Sequence, residues 1–354
     1  MLDGLDDVDW ASLTHAYGPA TDVPGQLRAL AGPESAAALE ALYGNIYHQG
    51  TTYPASAAAV PFLFELAPAR PEVISLLASM AIGFDEDVLP HGVPPYYAQD
   101  PTYAAIATRV ATAHDWLSFE PAETARLLAW FPSAAAESLP ALWARAEPLP
   151  GAAGEAAPPG EGGEAAAPRA GETGACLLAI GLLGSSRDVA QLAPFIADGD
   201  ATVRACAAIA LARLAPGDLP DGALEALLAA ARGEVPEEPG IAFLYDDLRG
   251  YAAKALQLLG PEHRARAIDA IAHAFEHSDA VTGLALVHGL LPLAFDGPVT
   301  GPLSGDQQRA VEAIRSAPWF SDGTGFGNVT LMLRGYGLEL KPKRGRRRWW
   351  GRSA

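Results

Sequence analysis

Cysteine is nearly missing: the 354 residues hold two, Cys176 and Cys206. Two isolated thiols in alanine-rich stretches cannot staple a small secreted fold, and they agree with a reducing cytoplasm. Long apolar runs are missing too. The longest uncharged stretch, residues 41–64, contains Asn45, His48, Gln49, Pro54 and Pro61, so it does not read as a membrane span. The acidic opening MLDGLDDVDW lacks the basic residues and apolar core of a secretory signal, which argues against export. β-Branched and aromatic residues nowhere alternate with polar ones over a long stretch, which leaves an all-α reading. Basic residues are few: 24 Lys and Arg face 42 Asp and Glu, for a net charge of −18. Seven positive charges and no acid fall in the last fourteen residues, KPKRGRRRWWGRSA, so residues 1–340 alone carry −25. A body this acidic repels a nucleic-acid backbone and suits a basic protein partner.

Reactive constellations are equally scarce. No Ser or Cys sits in a nucleophile elbow or another activating context. GTGFG (Gly323–Gly327) follows no strand pattern and precedes no Lys-Ser or Lys-Thr, so it reads as a loop rather than a phosphate cradle. Asp85, Glu86, Asp87 and His91 lack the Asp-x-Asp-x-Asp-Gly order of a calcium loop. His273 and His277 stand one helical turn apart, a spacing that can chelate a metal. Ile268, Ile271, Ala272 and Phe275 mark the buried face nearly opposite, however, and no third ligand is close in sequence. We therefore expect no catalytic residue, no metal and no cofactor.

What the chain does have is a repeat. VRACAAIALARLAP (Val203–Pro216) and LRGYAAKALQLLGP (Leu248–Pro261), 45 positions apart, share Arg, three Ala, two Leu and the closing Pro in register. Apolar residues fall at i, i+4, i+7, i+8 and i+11 in both, one stripe of an α-helix. Alanines keep that stripe slim, so a neighbouring helix can approach closely. Asp200 precedes the first copy, and Asp246 and Asp247 the second, where acidic caps satisfy free N–H groups. Such a stripe forms a core only when repeats stack on both sides, so the period marks a helical repeat array of ~40–47 residues per unit.

DATVRACAAIALARL (Asp200–Leu214) resembles the second helix of HEAT repeats, especially the short bacterial type called phycobiliprotein-lyase-like, Asp-x-x-Val-Arg-x-x-Ala-x-x-Ala-Leu-x-x-Leu. The resemblance implies a right-handed α-α superhelix of the HEAT/armadillo-like solenoid class. It also implies a structural ladder between repeats involving Asp200, Arg204 and Arg249. Some relatives of this type are bilin lyases, but a shared scaffold does not carry activity. The match is specific over about 172–277. Weaker copies extend it at ETARLLAWFP (Glu123–Pro132), ACLLAIGLLG (Ala175–Gly184) and VTGLALVHGLLPLAF (Val281–Phe295).

The spacing predicts helices at 25–44, 54–68, 71–83, 102–117, 121–131 and 135–146. The Gly-, Pro-, Ala- and Glu-rich segment 148–171 breaks every period and reads as a flexible loop or linker. The expected organisation is therefore degenerate HEAT-like repeats over 1–147, the loop or linker at 148–171, HEAT repeats over 172–340, and a basic tail at 341–354.

Two segments stand out as recognition surfaces. LYGNIYHQGTTYPASAAAVPFLFELA (Leu42–Ala67) is similar to a string found in bacterial HEAT-repeat proteins. Gly50 is expected to end one helix and Pro54 to open the next, so Tyr47, His48, Gln49 and Tyr53 form a polar-aromatic bridge. The same residues could instead fasten the loop to the next repeat. The segment Gly83–Tyr103 is too long for a plain connection and offers Asp85, Asp87, Tyr96 and Tyr97. In the tail, Arg346, Arg347, Arg348, Trp349 and Trp350 suit an anionic membrane, nucleic-acid backbone, or a solvated end. Together these features read as a cytoplasmic, non-enzymatic scaffold that binds a basic protein through Tyr47, His48, Gln49, Tyr53, Asp85, Asp87, Tyr96 and Tyr97. An immunity-like role is one version; a lyase-like enzyme or subunit and a peripheral membrane adaptor are the alternatives.

Overall fold

The computed structural model describes residues 2–147, 170–237, 239–321 and 327–340. Most of the 148–171 linker, most of the GTGFG loop, and the tail with Arg346, Arg347, Arg348, Trp349 and Trp350 lie outside the described residues. The chain forms two compact units: Met1–Phe195 with Gly240–Asp246, and Ile196–Pro239 with Asp247–Ala354.

In the first unit a small hairpin, β1 (Thr14–His15) and β2 (Gly18–Pro19), leads into α1 (Val23–Leu30) and α2 (Ser35–Asn45). A second hairpin follows, β3 (Tyr47–His48) and β4 (Thr51–Thr52). Then come α3 (Pro54–Leu66), α4 (Glu72–Ile82), the single turn α5 (Asp85–Val88), α6 (Pro101–Ala107) and α7 (Pro121–Ala129). α8 (Ala135–Ala146), α9 (Ala170–Leu183) and α10 (Val189–Leu192) complete it. α4, α7 and α9 pack in succession as one layer; α3 and α6, and the 3-10 segment Val110–Ser118 with α8, form the other. Leu63, Leu76, Leu77, Leu127, Leu128 and Leu177 are fully buried between them, each worth roughly 1.5–3 kcal/mol.

The second unit shows the repeat in its plainest form. Its helices are α11 (Ala201–Leu214), α12 (Ala223–Arg232), α13 (Leu248–Ala255), α14 (Arg264–Ala274), α15 (Ala280–Ala294), α16 (Gly305–Ser316), α17 (Pro318–Ser321) and α18 (Gly327–Gly335). α11, α13 and α15 pack in succession, and α12, α14 and α16 do the same beside them. The two matching sequence copies are thus neighbours in one layer of stacked helix pairs. Their slim faces allow the approach: a Cβ on Gly250 would lie 2.5 Å from the Ala285 methyl, and one on Gly289 2.7 Å from that of Ala253. The chain is all-α, built of stacked helix pairs, and within its described residues no helix is long and apolar enough to cross a membrane.

Caps fall where the carboxylates predicted. Asp200 accepts the Thr202 N–H (2.7 Å) to open α11, and Asp247 accepts that of Gly250 (2.9 Å) to open α13. Asp246 does not cap α13; its carboxylate accepts the N–H groups of Gly240 and Ile241. The expected ladder takes another form. Arg204 Nη1 donates to the Asp198 and Gly199 carbonyls (2.7 and 2.9 Å), tying α11 to the loop before it, while Arg249 lies 3.4 Å from Thr282 Oγ1 and 4.0 Å from Asp247.

Three helix predictions need correction. Residues 25–44 are two helices, because Gly32 and Pro33 interrupt them. Residues 102–117 divide into α6 and the 3-10 segment; Thr108 and Thr112 hydroxyls bond the Ala105 and Arg109 carbonyls, competing with the α ladder. Gly50 does not end α2, which stops at Asn45; it forms the turn of the second hairpin.

Candidate functional site

The first unit carries a half-open cavity of about 660 Å³, and it begins at that hairpin. Gln49 and Gly50 both have positive φ (49° and 79°), the paired left-handed turn that matches strand twist. A side chain at Gly50 would collide with the Phe84 ring, and one at Gly83 would sit 2.8 Å from the Gly50 carbonyl, so two glycines dock the hairpin on the end of α4. Successive strand residues point opposite ways. Tyr47 therefore turns into the cavity and donates its hydroxyl to the Gly83 carbonyl (2.7 Å), while His48 meets the Tyr17 ring edge-on at 5.4 Å.

Tyr43 of α2, Ser75 and Ser79 of α4, Glu120 just before α7, and Glu123 and Arg126 within it line the walls. Glu123 and Arg126, three apart, share one helix face. Arg126 is 7% exposed and binds Asp85, itself 3% exposed. Its Nη2 donates to Asp85 Oδ1 (2.7 Å), its Nε to Oδ2 (3.1 Å), and Nη2 also reaches Ser79 (3.4 Å). Burial alone would depress this guanidinium; Asp85, then Glu123, reverse the effect and hold it above its ordinary range.

The last wall is a strap, Gly240–Asp246, which supplies Gly240, Ala242, Tyr245 and Asp246. Ala242, Leu244, Tyr245 and Asp246 all have positive φ, 51–66°, which costs of order 1–3 kcal/mol per residue outside glycine. Specific bonds hold it there. The buried Leu244 N–H donates to Asp85 Oδ2 (2.8 Å), and the Asp246 carboxylate accepts the N–H groups of Gly240 (2.9 Å) and Ile241 (2.6 Å). Phe243 is buried edge-on against Trp130, ring centres 5.5 Å apart. Tyr245, 62% exposed, is left at the cavity's edge.

Electrostatically the cavity is acidic. Glu120, Glu123 and Asp246 line it against one guanidinium that Asp85 already engages. Burial raises Glu123, opposed by Arg126, and burial together with the Glu172 charge raises Glu120. Burial also lifts the phenols of Tyr43 and Tyr47, and Tyr245 to about 12, so all three stay protonated.

No protein-family model and no curated protein matches the chain. Among solved structures it is similar to one described as an engineered protein, at 18% identity over 89% of this chain and 88% of that one, with a TM-score of 0.35.

The residues picked from sequence have mixed fates. Tyr47 is in the cavity, Gln49 is the exposed turn, and half-buried Tyr53 precedes α3, its N–H bonded to Ser56 (2.7 Å). Asp85 is corrected: buried against Arg126, it cannot face a partner. Asp87, Tyr96 and Tyr97 line a second recess with Gly50, Thr52 and Gly83, so the 47–53 and 83–103 segments do meet. Tyr96, 64% exposed, stacks on Tyr97 at 5.0 Å. His273 and His277 are exposed, ring centres 6.4 Å apart. Sequence reasoning missed Tyr43, Glu120, Glu123, Arg126, Tyr245 and Asp246. The available signal was Glu123 and Arg126 on one face of an otherwise apolar helix.

Proposed function

We propose that this chain is a non-enzymatic protein-binding scaffold of the HEAT-repeat type, working in the cytoplasm, whose first unit holds a basic protein partner. The observation that carries this reading is the cavity: preformed, tyrosine-lined, and with carboxylates outnumbering its one guanidinium, which is already engaged. An acidic recess steers a basic partner and sets register, while aromatic walls supply short-range contact. The recess lined by Asp87, Tyr96 and Tyr97 offers further contacts of the same kind. The shifted groups point to binding rather than chemistry. Burial keeps the phenols protonated and pushes the Cys176 thiol up to about 12, away from the reactive thiolate. In its most concrete version the role is immunity-like, with an acidic array covering a basic toxin such as a nuclease.

Affinity capture from native cell extract, with the full chain and a 1–340 truncation read by mass spectrometry, tests this. The expected result is a basic protein retained stoichiometrically by both and released as salt rises toward 1 M, where screening acts within about 3 Å. Retention of no protein by either form refutes it. Lipid or nucleic acid recovered only with the full chain transfers the function to the basic tail.

A further inference from the structure

Resting on that reading, we infer that the cavity of the first unit is an arginine pocket: it receives the guanidinium of an arginine side chain presented by the partner. Glu120 and Glu123 meet its charge, and the rings of Tyr43, Tyr47 and Tyr245 meet its planar faces.

The donor shortage at Glu123 is the first argument. Its Oε2 is buried and accepts no hydrogen bond, and the nearest Arg126 nitrogen stands 3.5 Å away, too far for a good one. Arg126 faces it only with Nη1 at that distance, since Nε and Nη2 are anchored on Asp85 and Ser79. The Ser75 hydroxyl that serves the Glu123 carboxylate leaves Oε2 unbonded. A buried carboxylate oxygen without a donor is costly. A cation entering the cavity supplies that donor, and its charge offsets the burial that raises Glu120 and Glu123.

The kind of cation follows from the walls. Among the described residues no three His, Cys, Asp or Glu side chains converge closely enough to hold a metal ion. The lining acceptors are dispersed between aromatic rings and suit an extended organic cation. A guanidinium is planar, weakly hydrated, carries five donors in a fork and stacks on rings, whereas an ammonium is a compact, strongly hydrated point charge. The strap adds a third, independent argument. It holds Tyr245 at the cavity's edge in a backbone conformation that L-residues avoid, fixed by the bond from Leu244 to Asp85. Strain of this sort persists at ligand clamps, where the surrounding structure over-determines it.

The test titrates full-length protein with acetyl-Gly-Arg-Gly-amide and its lysine and citrulline counterparts, citrulline being the neutral isostere. The expected result is saturable one-to-one binding of the arginine peptide, at least tenfold tighter than lysine, with no saturation by citrulline. Glu123→Gln and Tyr245→Asn should each weaken it tenfold or more; Asn tolerates the left-handed backbone at 245, so the strap keeps its path. Glu120→Gln gives the same readout if Glu123→Gln lowers melting. Equal binding of arginine and citrulline, no saturation, or affinity unmoved by these variants overturns the pocket. A basic protein still captured by the Glu123→Gln and Tyr245→Asn variants also overturns the pocket, but leaves the scaffold reading standing. Arginine peptide bound at the cavity with no protein ever captured does the reverse.

Discussion

Removing the Asp85 carboxylate while Arg126 stays in place should cost the first unit about 3–5 kcal/mol, the usual penalty for breaking a buried ion pair. The magnitude follows from the geometry. Both groups are nearly inaccessible, at 3% and 7% exposure, and three donor contacts of 2.7–3.3 Å join them. Asp85→Leu leaves the guanidinium with Glu123 at 3.5 Å and the Ser79 hydroxyl at 3.4 Å, and also strips the Leu244 N–H of its acceptor. In a domain of about 150–250 residues each kcal/mol moves Tm by about 2–4 °C, so the loss should read as a fall of about 6–20 °C. Arg126→Met should cost a similar amount. The double variant should lose far less than the sum, since an apolar pair needs no counter-charge. Calorimetry and urea unfolding of the four proteins measure this, and amide exchange at Leu244 reports whether the strap loosens with Asp85. A single substitution costing under about 1 kcal/mol, or strictly additive losses, would refute the idea that this pair holds the cavity together.

The second unit offers a pH test at Asp247, whose carboxyl burial pushes up to about 6, opposed by the Gly250 N–H. The folded state then binds a proton that the unfolded state has already released, so stability falls as pH rises from about 4 to 6, by up to about 3 kcal/mol. Asp247→Asn, which still caps α13, should remove that slope. The comparison is made as a difference between the two proteins, because burial holds His288 down to about 4 and tilts the curve the opposite way in both; equal slopes would contradict the assignment. Gly289→Ala places a methyl 2.7 Å from that of Ala253 and should cost about 1–3 kcal/mol by overpacking; unchanged melting would mean α13 and α15 can part freely. Cys176 and Cys206 are both buried, and Cys176 is pushed up to about 12, so neither should react with a thiol reagent until the chain unfolds. Labelling of native protein on mixing would show that their helices open.

Local features read well from the chain because their physics is local. The stripe of Val203–Leu214 became α11, and its copy became the adjacent α13, which ends at Ala255 and runs on as the 3-10 turn Leu256–Leu258; Asp200 and Asp247 became their caps. Tyr47 was visible too, since a polar-aromatic run between helix signals marks a loop that must fasten to something. Gly32–Pro33 and the threonines of residues 108–112 were the places where breakers and side-chain competition outweighed apolar spacing.

The cavity was not legible in the same way. Asp85 bonds Arg126 across 41 residues and Leu244 across 159, and no periodicity relates positions so far apart. The sequence DEDV reads as a solvated acidic turn, yet stacking of α4 on α7 buries its first carboxylate. Nor does AFLYDD announce four left-handed residues, because of the four only Asp246 tolerates that region locally; Asp85 and the Asp246 carboxylate stabilise the path only once the first unit is assembled. The sequence alone determined most of the helices and the caps of α11 and α13, which are set by contacts within a few turns, together with the repeat whose period stacks them. Only the tertiary structure decided which carboxylate is buried, which faces the cavity, and where Tyr245 stands, since these depend on groups that meet after the layers have packed.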